Sequence, residues 1–343
     1  MGTFRFHVRA LALAAVLSAP AVLAAPVVSS VSGTVGQGQS ITISGTAFGT
    51  KPQAAPVVYD DFESGSVGGK VEGRAGVTGQ WGTGDWSYNV TYSNTQPMQG
   101  SRAAHHSFGS GTYNASLYVD PQQTGSYYLD FWMRVVPKSS SLTRNFKPWR
   151  MYDASDNTIA NDVIFCDSPG WVGLESGGGA WVSKPRVWNQ WEHYQIVVKV
   201  GSNGIISQHR DGVADIERTG ISAGGNPTSI RVGHYWALDG ADACVANPGA
   251  DIYTDNVYVD TSLARVVLGD NAVYSASRNR AVLRPTAWSG GQITANVNTA
   301  RFGSGANAFL FVIDSNNVPS VGFPVTIGQG SVTPNPPTNV SAN

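Results

Sequence analysis

The chain has 343 residues, of which 13% are charged, with 40 glycines, 10% aromatics and a formal net charge of −1. The charged share is roughly half that of an ordinary globular protein. A near-zero net charge with no basic run excludes a nucleic-acid partner drawn in by a global field. Low charge with many glycines and aromatics points to an all-β chain rich in turns.

Residues 1–24 have the layout of a secretory signal peptide. Arg5, His7 and Arg9 precede an apolar run from Ala10 to Leu23, and "VLA" ends at Ala24. That run is short for a bilayer span. The expectation is therefore cleavage, no membrane span afterwards, and a secreted or cell-surface protein large enough for two domains. Next, "PVVSSVSGTVGQGQSITISGTAFG" (26–49) reads as two strands joined by a Gly-rich turn; two strands cannot bury a core alone.

Alternation dominates the middle of the chain. "YYLDFWMRVV" (127–136) sets Leu129, Phe131, Met133 and Val135 against Asp130, Trp132 and Arg134. "WEHYQIVVKV" (191–200) puts Tyr194, Ile196, Val198 and Val200 on one face, and Ser202-Asn203-Gly204 follows as a hairpin signal. "DIYTDNVYVD" (251–260) is a further strand, and "ARVVLGD", "QITANVN" and "NAFLFVIDSNNVPSVGFPVTIG" supply more of them before residue 328. The predicted fold class is all-β: a jelly-roll sandwich (57–262) inserted in, or joined to, a smaller immunoglobulin-like sandwich built from 25–56 and 263–328. Three serial units are the alternative, with 26–56 an appendage, but small separate units bury too little surface. Residues 329–343 read as a Pro-, Asn- and Ser-rich tail.

Two cysteines, Cys166 and Cys244, predict one disulfide in an exported protein and cannot by themselves hold zinc. Asp61 and Glu63 on the first jelly-roll strand could approach Asp255 on the last, as oxygen ligands of a structural Ca²⁺ or as solvated edge carboxylates. No cofactor is otherwise required. The isolated Glu175, Glu192 and Glu217 do not make the close carboxylate pair of a glycoside hydrolase, and there is neither a serine-nucleophile elbow nor a phosphate loop. "NVT" at Asn89 and "NAS" at Asn114 are glycosylation sequons where the source glycosylates them.

Three strands offer aromatic or cationic groups on a polar face: Asp130, Trp132 and Arg134; Arg150 with Tyr152; Arg231 with Tyr235. Aromatic rings take the C–H faces of sugars, while arginines and aspartates take carboxylates and hydroxyls. A glycan groove is one reading, and side chains that merely cover the sheet are the other. In "IRVGHYW" (230–236), alternation sets Arg231, Gly233 and Tyr235 on one face, with Ile230, Val232, His234 and Trp236 on the other.

"GQSITISGTAFG" resembles the opening of an immunoglobulin-like IPT/TIG domain. The stretch from "YDDFESG" to "DIYTDNVYVD", with "WNQWEHYQIVVKVG", a hairpin and "HRDGV" between, resembles a concanavalin A-like lectin/glucanase jelly roll, whose concave face carries the ligand. Within it, "RVGHY" is similar to the "KAGVY" run of alginate lyase-like polysaccharide lyases. That resemblance implies Tyr235 as the group that takes the C5 proton of a uronic acid and protonates the leaving oxygen. Arg231 stands where the family has lysine, and Arg150 or His106 would meet the carboxylate. The match is partial: "RAAHH" (102–106) lacks the acidic residue of the corresponding family strand, and "NFKPWRMYD" (145–153) lacks its histidine. The expected function is a secreted protein binding polysaccharide, uronic-acid-containing in particular. A β-eliminating polysaccharide lyase and a structural or adhesive surface protein are the alternatives.

Overall fold

The computed structural model describes residues 24–83, 89–107, 115–138, 146–164, 170–174, 177–182, 184–233 and 250–330. The leader-like segment, Cys166, Cys244, His234, Tyr235 and the tail lie outside the described residues. Apart from one 3₁₀ turn, Tyr274–Ala276, every regular element described is a strand.

In chain order the first strands are β1 (Val27–Ser32), β2 (Ser40–Thr46), β3 (Val58–Asp60), β4 (Val90–Ser93), β5 (Ala103–His106) and β6 (Leu117–Val119). The long β7 (Ser126–Pro137) leads to β8 (Phe146–Tyr152), β9 (Thr158–Ile164), β10 (Trp171–Leu174) and β11 (Gly178–Trp181). Then come β12 (Trp191–Lys199), β13 (Gly201–Arg210), β14 (Val213–Ala223), β15 (Ser229–Val232) and β16 (Ala250–Asp260). Last are β17 (Arg265–Gly269), β18 (Arg280–Trp288), β19 (Gln292–Asn296), β20 (Asn307–Ile313) and β21 (Phe323–Thr326).

The strands form three antiparallel sheets. An eight-stranded sheet runs β14-β13-β12-β7-β16-β5-β4, with β3 also on β16, and a six-stranded sheet runs β11-β10-β9-β8-β15-β6. These two pack face to face as a jelly-roll sandwich. The period-two rule decides what fills it: Leu129, Phe131 and Met133 of β7 and Ile196 and Val198 of β12 meet Trp149 and Met151 of β8 and Ile230 and Val232 of β15. A seven-stranded path, β1-β2-β19-β18-β17-β20-β21, makes the smaller sandwich. There β2 pairs with β19, Ile43 opposite Ile293, and Ile41, Leu268, Leu283 and Leu310 share a separate core.

The smaller sandwich sits on the outer face of the eight-stranded sheet. Tyr59, Tyr128, Val197 and Tyr258 from that sheet pack with Leu263 and Val282. Polar ties surround this patch: Arg280 Nη1 donates to Gln195 Oε1 at 3.0 Å and Arg284 Nη1 to Thr78 Oγ1 at 3.1 Å. Lys51 Nζ lies 2.6 Å from Asp260 Oδ2, both buried.

One end of the jelly-roll core is charged. Arg186 Nη2 donates to both Asp162 oxygens at 2.6 and 2.8 Å, and its Nη1 to the Tyr194 hydroxyl at 2.9 Å. Gln208 Nε2 reaches Asp162 Oδ2 at 2.8 Å and Asp215 Oδ2 at 2.9 Å, while its Oε1 accepts Trp149 Nε1 at 2.6 Å. Arg210 completes the chain, bonded to Asp215 and to Glu192. The network ties β9 and β8 of one sheet to β13 of the other, behind the face described next.

Candidate functional site

The six-stranded sheet turns one face away from the core, and strand register lays its side chains in rows. Tyr118 on β6 stands opposite Arg231 on β15, which stands opposite Arg150 on β8, which stands opposite Asn161 on β9. The row continues through Gly173 on β10 and Gly179 on β11. In the neighbouring row Val163, Trp171 and Trp181 face one another.

The two glycines make room for an aromatic platform. A Cβ at Gly179 would lie 2.0 Å from Trp171 Cζ2, and one at Gly173 would lie 2.7 Å from Trp171 Cη2. The indole therefore lies across bare backbone, half-buried, next to a Trp181 that is 65% exposed. Sequence reasoning passed over Trp171; the spacing in "WVGLESGGGAW" was its signal, a tryptophan whose same-face neighbours are glycines.

Beside the platform is a cationic cluster. Arg231 and Arg150 are directly opposed across strands, and both guanidiniums lie on the Tyr152 ring, 4.1 and 4.7 Å from its centroid. Like charges directly opposite one another oppose sheet formation; stacking on a common π face offsets part of that cost. Arg150 also donates to Thr158 Oγ1, and Arg231 lies 3.8 Å from the exposed Asp156 carboxylate. Burial lowers the Arg231 pKa, and the Arg150 charge acts in the same direction. An anion arriving between them gains two charge-assisted donors in one place. Tyr118 closes the row: its hydroxyl donates to Asp120, and burial together with that carboxylate pushes its pKa up to about 12.

The other sequence-predicted residues lie elsewhere. Asp130, Trp132 and Arg134 do share a face, but it is the outer face of the eight-stranded sheet, so the expected groove shared by three strands is corrected to two. Trp132 is 2% exposed, stacked on His193 at 4.5 Å and covered by the Arg301 guanidinium at 4.2 Å. Asp130 Oδ1 holds His193 Nε2 at 2.7 Å, and Arg134 binds the Thr95 carbonyl at 3.1 Å and lies over Tyr253. These groups join the sheet to what covers it.

His106 is also corrected. It points between the sheets, fully buried, with Nδ1 2.6 Å from the Ala115 carbonyl and Nε2 2.8 Å from Thr254 Oγ1. Burial pulls its pKa down to about 3, so it is a neutral core group and no carboxylate partner. Gly233 packs on it: with φ +109 its Cβ would lie 2.2 Å from the His106 ring. The alternation expected from Arg231 to Gly233 breaks at Gly233, after β15 ends; Tyr235 lies outside the described residues.

Asp61, Glu63 and Asp255 do not gather as a cation cage. Glu63 Oε1 accepts the Ser101 and Arg102 amides at 2.8 and 2.9 Å, and Asp255 Oδ2 accepts the Met98 and Gln99 amides at 2.9 and 3.2 Å. Among the described residues no group of three or more metal-ligating side chains occurs.

Together these features define an all-β protein of two sandwiches, the larger carrying an aromatic and cationic face. No family model matches the chain, and no curated protein matches it. Among solved structures, an endo-β-1,4-glucuronan lyase from the fungus Trichoderma reesei aligns at 14% identity and TM-score 0.40, covering 51% of this chain and 87% of that one. A cellulose-induced protein aligns at 14% identity and TM-score 0.42, covering 60% and 97%. An alginate lyase aligns at 12% identity and TM-score 0.39, covering 60% and 98%. At such scores the chemistry of the site rests on this chain's own residues.

Proposed function

We propose that the chain binds an acidic, uronic-acid-bearing polysaccharide along the outward face of the six-stranded sheet. The observation that supports this reading is the opposed pair Arg150 and Arg231 on one ring, a short step from the Trp171 platform. A sugar carboxylate sits between the guanidiniums, and a neighbouring pyranose stacks its C–H face on the indole. The reading takes the chain to be exported, on the strength of the leader-like segment 1–24, with the smaller sandwich as a spacer.

Calorimetric titration with alginate and glucuronan, the polymers named for two of the structural neighbours, is the test. Trp171→Ala is expected to weaken binding about threefold to tenfold. Equal affinity for a neutral glucan would sink the proposal.

β-Elimination at the same face is a second reading, favoured by the phenol of Tyr118 opposite Arg231. A phenol whose pKa is near 12 keeps its proton at neutral pH and suits donation better than proton abstraction. Binding therefore ranks first. Ultraviolet absorbance from unsaturated sugar ends, rising with time in the presence of alginate or glucuronan, would reverse that order.

A further inference from the structure

A cavity of about 450 Å³ lies where the smaller sandwich meets the eight-stranded sheet, and Tyr128, Gln195, His209, Arg265, Tyr274 and Arg280 line it. It is remote from the Arg150–Arg231 row, being on the opposite sheet. We propose that it is a second binding site, for a small carboxylate-bearing molecule about the size of one acidic sugar.

Two cations are buried in its wall. Arg265 is 3% and Arg280 1% exposed, and among the described residues neither has a carboxylate within ion-pair distance. Burying a guanidinium without a counter-ion is strongly unfavourable, and burying two in one cavity more so. Their hydrogen bonds go to neutral groups. Arg265 Nη1 donates to the Leu263 carbonyl at 2.6 Å and Nη2 to the Tyr274 hydroxyl at 3.4 Å. Arg280 gives Nη1 to Gln195 Oε1 at 3.0 Å and Nη2 to the Tyr274 carbonyl at 2.8 Å. The Nε of each arginine has no hydrogen-bond partner. Each guanidinium lies over a tyrosine ring, Arg265 over Tyr128 at 4.2 Å and Arg280 over Tyr274 at 4.3 Å.

Asp130 favours the Arg265 charge from a distance, but no acid among the described residues pairs directly with either guanidinium. Asp130 is already held by His193 and by the Tyr128 hydroxyl at 2.7 Å, and Glu217, 64% exposed at the side chain, pairs with His209 at 3.1 Å. His209 itself is kept neutral by burial, which pulls its pKa down to about 4. Tyr274 reports the resulting field: burial pushes its phenol up, yet Arg265 and Arg280 outweigh burial and leave it below the ordinary value. The mouth, by contrast, is apolar, with Val273 59% and Val321 85% exposed. A cationic end inside, a polar wall at Asn317 and an apolar rim match a compact ring bearing one carboxylate.

Calorimetry of the whole chain with monomeric glucuronate tests this, with glucose and acetate as comparison ligands. Glucuronate is expected to bind, glucose not, and acetate at least tenfold more weakly than glucuronate. Arg280→Gln is expected to weaken glucuronate about tenfold or more. Val321→Trp, a surface change that narrows the mouth without touching the arginines, is expected to weaken it too and guards against a misfolded Arg280 variant. No binding of glucuronate, or equal binding of acetate, would overturn the proposal. So would binding lost in Trp171→Ala but kept in Val321→Trp, since that places the monomer on the six-stranded sheet; polymer binding there stands or falls separately.

Discussion

Arg186→Met is expected to lower the unfolding free energy by about 3–5 kcal/mol, the usual result of stripping one partner from a buried ion pair. Arg186 and Asp162 are both shut off from water, and the pair is bidentate at 2.6 and 2.8 Å. Removing the guanidinium strands the carboxylate in the core and frees the Tyr194 hydroxyl from its donor. Asp162→Leu added to Arg186→Met is expected to recover part of the loss, because no bare charge is then left inside. Recovery is incomplete, since Gln208 loses an acceptor. Urea unfolding followed by tryptophan fluorescence measures each step. The sign with pH is also fixed. Burial raises the Asp162 pKa and Arg186 opposes that rise, so in Arg186→Met the native-state value goes higher still. The native variant then holds its proton where the unfolded chain has lost it. The unfolded chains titrate alike, so the deficit shrinks as pH falls through the variant's native value toward the parent's, which burial already holds above the ordinary carboxylate range.

A second large effect comes from His106. With a native-state pKa of about 3 against 6.5 for the free side chain, it stays neutral while the unfolded chain protonates. A depressed histidine makes stability fall with acid: the loss begins below about pH 6.5 and runs down to the native value. Between neutrality and about pH 4 this one residue removes roughly 3 kcal/mol. Asp60 works in the opposite direction, since burial raises its pKa to about 6. The clean readout is thus the difference between the parent and His106→Gln, in which the Asp60 contribution cancels. The variant is expected to be less stable at neutral pH, because the contacts to Ala115 and Thr254 are disturbed, but to have a flatter acid limb. Parallel acid limbs would remove His106 from the account.

Much of the strand pattern was legible in the sequence, because a period of two needs only local residues. Leu129, Phe131 and Met133 face the core and Asp130, Trp132 and Arg134 face away from it, as their alternation predicts. Alternation names a face but not what lies on it. β7 and β8 both present polar outer faces, yet one is covered by the smaller sandwich and the other carries Arg150 and Tyr152. That difference depends on which sheet each strand joins, and on β2 meeting β19 from the far end of the chain. The alternation also failed at Gly233, where a positive φ turns the backbone and only glycine clears the His106 ring. Arg150, Tyr152 and Arg231 were found as candidates because arginine and tyrosine recur on outward positions. Trp171 was missed because its platform is made of glycines on two strands. The Asp162–Arg186 pair was missed because β10 and β11 lie between its partners in the chain, and nothing local marks them as a pair.

The central claim is that the Arg150–Arg231 pair reads a sugar carboxylate. Titrating the parent chain and Arg150→Gln/Arg231→Gln with alginate and with carboxyl-reduced alginate tests it most directly. The parent is expected to prefer the native polymer by at least tenfold, the double variant to bind both alike, and added salt to erode only the parent's preference. A parent that does not distinguish the two polymers, or a double variant that still does, would contradict the account.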